Sequence, residues 1–238
     1  MQGVSILNPS AVASLVLTCE HAVCFVPEEY GNLGLRREEL VDHIGWDIGA
    51  ALVAARLATF FTATAILSGV SRLLIDCNRD LHDPDLIVTR SDGIHVPGNA
   101  SISESERARR IAHFYEPYHH AIDAVLRGQR SSLLLSLHSF TPSMNGRERR
   151  FDIGVLFDVH TVEAAQLGAG LAQAGFAVRY NEPYSGLDGL IYSAKRHGAV
   201  HAVRYLELEI NNRLLRDESS AQAIADRVAP AIAALLRD

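Results

Sequence analysis

Leu133-Leu134-Leu135-Ser136-Leu137-His138-Ser139 is the stretch that decides the fold. Its five leading residues are almost unbroken apolar, too short for a helix and apolar on both faces. That is the pattern of a strand at the centre of a parallel sheet, covered on both sides. Such a strand needs neighbours and crossovers, and the chain offers both. Leu15–Cys19, Ala63–Leu67, Arg72–Cys77, Asp152–Phe157, Phe176–Tyr180 and Val203–Ile210 read as further strands, with Ser68-Gly69 as a turn between the second and third of these. Between them lie segments of helical period. Trp46–Phe60 puts Ile48, Ala51, Leu52, Ala55 and Ala58 on one face. Ser103, three residues before Glu106, starts a helix that runs to about Arg127 and is kinked or divided at Pro117. Thr161–Ala174 is stopped by Gly175, and Ser220–Leu236 closes the chain. Strand–helix alternation of this kind predicts an α/β fold with a largely parallel or mixed sheet.

The totals agree. The chain has 238 residues, 48% of them apolar and 21% charged, which suits one globular domain over residues 1–238. A net charge of −6 gives no global basic field for nucleic acid or anionic lipid. Arg147, Arg149 and Arg150 form a local basic run, read as a solvated loop. Three cysteines without a regular framework suit a reducing, cytoplasmic setting. The first residues lack the basic-then-apolar order of a signal peptide, and no apolar run reaches the length of a membrane span. Oligomeric state is left open, a homo-oligomer included. The stretch from Asp80 to Ser101 has little periodicity and is expected to be a functional loop that acts as a lid.

Ligands of open α/β sheets bind beyond the carboxyl ends of the strands. Glu20-His21 follows the first predicted strand, Asn78-Arg79-Asp80 the third, and His138-Ser139 the central one; Glu207, Glu209 and Asn211-Asn212-Arg213 close the last. A lone histidine is more often a hydrogen-bonded structural residue than a ligand. Two histidines, each directly after a buried strand, suit zinc together with a carboxylate. Asp47 at a helix start is the nearest acid, with Asp42 and His43 as competitors; a first-turn acid is equally explained by the helix dipole. Glu207 and Glu209 share a strand face, which ordinarily means polar-out alternation. The functional alternative makes one of them a general base. Arg79 could clamp a carboxylate in bidentate fashion. Cys19, two residues before His21, is a conceivable nucleophile but more commonly such a residue is a small buried hydrophobe.

Taken in order, Thr18-Cys-Glu-His-Ala22, Leu33-Gly-Leu35, Asp42-His-Ile-Gly-Trp-Asp-Ile-Gly-Ala50, Ser71-Arg-Leu-Leu-Ile-Asp-Cys-Asn-Arg79, Val96-Pro-Gly-Asn99, Leu137-His-Ser-Phe-Thr-Pro142, Asn181-Glu-Pro-Tyr-Ser185 and Leu208-Glu-Ile-Asn211 resemble the N-formylglutamate amidohydrolase family. The likeness spans Leu15 to Arg213. It implies a three-layer α/β sandwich like that of zinc-dependent exopeptidases, a mixed sheet between helices. It also implies one Zn²⁺ per chain, held by His21, Asp47 and His138. Glu209 would then be the general base, and Arg72 the oxyanion donor. Asn78 with Arg79 would bind the α-carboxylate, and Arg90 or Arg213 a second carboxylate. Carboxypeptidase-like relatives place the acidic ligand three residues after the first histidine. Here that residue is Cys24, so Asp47 is preferred with Cys24 as a soft alternative. The implied substrate is N-formyl-L-glutamate or another small N-acyl amino acid. Two alternatives are a deacylase or exopeptidase for another carboxylate-bearing amide, and a non-catalytic amino-acid-binding relative. A third, a metal-free hydrolase using Cys19, would be abolished by alkylation.

Overall fold

A computed structural model of the chain describes residues 3–128, 131–144 and 146–237. In chain order the strands are β1 (Val4–Leu7), β2 (Leu15–Cys19), β3 (Thr64–Ser68), β4 (Arg90–Ser91), β5 (Ile94–His95), β6 (Leu133–Phe140), β7 (Ser143–Met144), β8 (Arg147–Glu148), β9 (Ile153–Leu156), β10 (Val178–Tyr180) and β11 (Arg204–Asn211). The helices are α1 (Arg37–Leu40), α2 (Ala50–Phe61), α3 (Glu104–Arg110), α4 (Glu116–Gly128), α5 (Thr161–Gln173), α6 (Tyr192–His201) and α7 (Glu218–Leu235). Seven strands form one mixed sheet in the order β1-β3-β2-β6-β11-β9-β10. The four in the middle, β3, β2, β6 and β11, are parallel; β1 and β9 join antiparallel. As the opening stretch predicts, β6 is central and buried along its whole length.

Pleating sends alternate residues to opposite faces. Leu15, Leu17, Leu133, Leu135, Leu137, Leu206 and Leu208 pack with α2, α5 and α7 on one side. Val16, Leu134 and Tyr205 face the other side, with Tyr118 and Ile122 of α4 and Ala194 of α6. On this second face the three central strands change character towards their carboxyl ends. Val16 gives way to Thr18 and Glu20, Leu134 to Ser136 and His138, and Tyr205 to Glu207 and Glu209. The register places Ser136 between Thr18 and Glu207, and His138 beside Glu209. The polar half of each strand is therefore aligned into one buried patch. The two glutamates do not face solvent, as simple alternation would have it; both are under 5% exposed, Glu207 at 2% and Glu209 at 4%.

One expected strand is absent, and the helix expected to kink or divide at Pro117 divides just before it. Arg72–Cys77 is a series of buried turns rather than a strand. A buried irregular segment must satisfy its backbone polar groups from side chains. Ser71 Oγ accepts from Leu73 N, Asp76 Oδ1 accepts from Asn78 N, and Asn99 Nδ2 donates to the Leu73 carbonyl. The long helix expected from Ser103 is divided at Ile111–Tyr115 by a π-helical turn, in which Glu116 N bonds the Ile111 carbonyl. The widened turn lies directly before Pro117, whose ring and missing N–H disrupt a regular ladder. Ser103 is the N-cap, accepting from Glu106 N at 3.1 Å.

Candidate active site

His21 follows β2, His138 lies near the end of β6, and Asp47 sits in the turn before α2. Asp47 N donates to the His21 carbonyl at 2.9 Å, which ties that turn to the end of β2. Gly49, at φ +82°, lets the turn enter α2; a Cβ there would meet Leu215 at 2.5 Å. The three side chains converge. Asp47 Oδ2 lies 2.7 Å from His138 Nδ1 and 3.2 Å from His21 Nδ1, and the two Nδ1 atoms are 3.1 Å apart.

The far side of each ring fixes what these atoms can be. His21 Nε2 is 2.7 Å from Asp76 Oδ1, and His138 Nε2 is 3.0 Å from Glu20 Oε2. Carboxylates only accept, so both Nε2 atoms carry hydrogens and donate. In neutral rings, both Nδ1 atoms then present lone pairs to each other and to a carboxylate oxygen. Only a proton or a cation can reconcile three acceptors at such separations. Ligand atoms about 2.0–2.1 Å from a tetrahedral zinc lie roughly 3.3 Å apart, so the spacing fits a metal ion. The carboxylates behind the histidines are the outer partners that such ligands ordinarily have. Glu20 is itself held by Ser136 Oγ at 2.6 Å and Tyr118 OH at 2.9 Å.

Electrostatics leads to the same conclusion. Glu20, Asp47, Asp76, Glu207 and Glu209 are all buried here, with the guanidiniums of Arg72 and Arg79 alongside. Burial alone would raise every one of these acids. Hydrogen bonding and charge from His138, with help from Ser136, instead hold Glu20 at about 2. His21 and His138 keep Asp47 well below its usual range, and His21 with Arg72 does the same for Asp76. Burial, with Glu20 nearby, pushes Glu207 up to about 7, and burial also raises Glu209 well above the usual carboxylate range. Burial opposes a charge on His138, yet Glu207, Asp47 and Glu20 push its pKa well up. A cluster that must gather protons to offset its own charge is one a divalent cation would neutralise.

A cavity of about 320 Å³ opens onto this cluster. Arg72 lines it, with Nη2 2.8 Å from Asp76 Oδ2 and Nη1 3.5 Å from Asp47 Oδ1. Glu209 lines it too, and its Oε2 is buried without a hydrogen-bond partner among the described residues. Arg79 lines it and has no acidic partner among the described residues; its Nε is buried and unpaired. Arg90 reaches it from the β4–β5 hairpin, donating to the Gly93 carbonyl. That hairpin belongs to the 80–101 loop, which forms one wall of the cavity. Asn78 also lines the cavity, but its amide is engaged by Ser193 N, the Leu190 carbonyl and Glu207, so it positions its neighbours. Arg213 is not brought to the site; it pairs with Asp152 at 2.8 Å. Asp42 and His43 pair with each other, and His43 also with Asp92, at the rim. Cys24 is not in the cluster. Cys19 is fully buried and burial pushes its thiol up, away from a thiolate.

The residues that sequence reasoning did not single out are Asp76, Glu20 as an outer partner, and Tyr184, which lines the cavity. Asp76 carried a signal: one acid between Ile75 and Cys77 in an apolar run has to find a buried partner.

The model of the N-formylglutamate amidohydrolase family matches residues 13–216. A solved structure of the gene product Atu2144 from Agrobacterium tumefaciens is 32% identical, with 100% of this chain and 96% of that one covered and a TM-score of 0.94. An N-formylglutamate amidohydrolase from Ralstonia eutropha JMP134 is similar in fold, at 19% identity, 100% and 98% coverage and a TM-score of 0.74. A bacteriophage poly-γ-glutamate hydrolase shares the fold more distantly, at 12% identity, 98% and 89% coverage and a TM-score of 0.51. No curated protein matches the chain. With the family pattern running over most of its length, the chain belongs to the N-formylglutamate amidohydrolase family, whose members are hydrolases acting on an amide bond.

Proposed function

We propose that the chain is a zinc-dependent amidohydrolase of N-formyl-L-glutamate or a related N-acyl amino acid, working as one domain over residues 1–238 in the cytoplasm. The carrying observation is the convergence of His21 Nδ1, His138 Nδ1 and Asp47 Oδ2 while both Nε2 atoms face carboxylates. These three residues would hold the ion. A bound zinc ion supplies Lewis-acid chemistry, polarising a carbonyl and lowering the pKa of water towards about 7.

The chain's own residues do the rest. Glu209 has the free Oε2 of a group that takes a proton from the attacking water and returns it to the leaving nitrogen. Arg72 turns its guanidinium to the carbonyl oxygen as charge develops there. Arg79 clamps the α-carboxylate, and Arg90 is near enough to take a second one. Asp76 and Glu20 keep the two imidazoles in the tautomer that leaves Nδ1 free. The products are formate, or another acid, and a free amino acid.

The test is metal analysis of protein purified without chelator, paired with formate release from N-formylglutamate before and after chelation. About one zinc per chain and chelator-sensitive release are expected. Full activity in metal-free protein would overturn the zinc assignment.

A further inference from the structure

A second cavity, of about 740 Å³, lies against the first and is more than a formyl group can use. Met144 lines both. Arg149 backs the partition: its guanidinium is 5.3 Å from the ring centre of Tyr184, and Nη2 is 3.1 Å from Met144 Sδ. Beyond the partition the walls carry Arg147, Arg149, Arg150 and Arg179 against Glu148 and Glu182. Glu148 is engaged by Arg150 at 2.7 Å. Arg147 and Arg179 have no acidic partner among the described residues, and Arg179 makes only a 3.4 Å contact to the Val178 carbonyl. A chain of net charge −6 has thus gathered unpaired cations around one groove beside its active site.

We propose that this groove is a subsite for a second anionic group of the substrate, so that the enzyme acts on amides whose acyl arm ends in its own carboxylate. The inference rests on the amidohydrolase reading above. Arg79 and Arg90 take the carboxylates of the amino acid, the scissile carbonyl lies at the His21–Asp47–His138 cluster, and the acyl arm passes Met144 and Tyr184 to Arg147 and Arg179. Water adds its oxygen to the acyl carbon, the C–N bond breaks and the nitrogen leaves with a proton. A dicarboxylate and an amino acid result. Guanidiniums suit this role because they stay charged and bind carboxylates in bidentate fashion.

The experiment compares N-formyl-, N-valeryl- and N-glutaryl-L-glutamate on the zinc-loaded enzyme. The last two have acyl arms of equal length and differ in the terminal carboxylate. The glutaryl compound should have a KM at least about tenfold below the valeryl one, and the double variant Arg147→Ser/Arg179→Ser should erase that ratio. Equal KM values for the two, or a ratio unchanged in the double variant, would overturn the subsite while leaving amide hydrolysis intact. Should none of the three be hydrolysed, glutamate as the amino-acid part of the substrate is ruled out. Calorimetric titration with glutarate then decides the groove: binding lost in the double variant upholds it, and no binding to the parent protein overturns it.

Discussion

Glu209 and Glu207 are two residues apart on one strand face, yet they are different groups. Glu207 is engaged, with Oε2 3.3 Å from Asn78 Nδ2 and 3.5 Å from His138 Nε2. Glu209 borders the cavity with an oxygen that nothing among the described residues satisfies. An unpaired buried acceptor costs free energy, a cost that a catalytic role explains. Glu209→Gln keeps the size and removes only the titrating oxygen. It should leave zinc content and melting temperature near those of the parent and lower kcat by about 10²–10⁴-fold. Steady-state kinetics with metal analysis on the same preparation checks this. Near-parent turnover with zinc bound would remove Glu209 from the base role.

At the level of elements, the candidate active site depends on a segment with no regular structure. The turns from Ser71 to Arg79 supply Arg72, Asp76, Asn78 and Arg79, and they are buried. Asn99 is their main tie. Its Nδ2 donates to the carbonyls of Leu73 and Val88 at 2.8 and 2.7 Å, and its Oδ1 accepts from Arg110 Nη1 at 2.7 Å. It thereby joins these turns to the 80–101 wall of the cavity. Asn99→Ala would strand two buried carbonyls and part of a buried guanidinium. A loss of roughly 2–4 kcal/mol in stability is expected, with a raised KM because Arg79 and Arg90 lose their common anchor. Urea denaturation would show it as a lower midpoint with an unchanged slope. A midpoint equal to the parent's would mean that the turns are held by packing alone.

For the whole molecule, strand-and-helix order was legible because apolar runs and helical periods are local signals. β2, β6 and β11 fall where Leu15–Cys19, Leu133–Leu137 and Val203–Ile210 read as strands, and His21 after β2 and His138 near the end of β6 come together. Less legible were groups whose roles depend on distant partners. Leu73-Leu74-Ile75 reads as a strand until Ser71 and Asn99 are seen satisfying the backbone of Leu73, and Asp76 that of Asn78. Arg213 follows β11 much as site residues follow their strands, yet Asp152, just before β9, takes it. The cluster is assembled from positions 21, 47 and 138, backed by 20, 76, 207 and 209. An unfolded chain has no such site, so an ion held there stabilises only the folded state. At a free zinc concentration 100-fold above Kd the gain is about 2.7 kcal/mol, or roughly 5–10 °C in melting temperature for a chain of this size. Zinc must also displace the proton that Glu207, Asp47 and Glu20 help to hold on His138. Its affinity therefore falls as pH falls, and the zinc-dependent increment should shrink between about pH 7.5 and 5.5. Melting curves of chelated and zinc-restored protein across that range measure both effects. A zinc increment independent of pH would mean that the ion binds somewhere other than His21, Asp47 and His138.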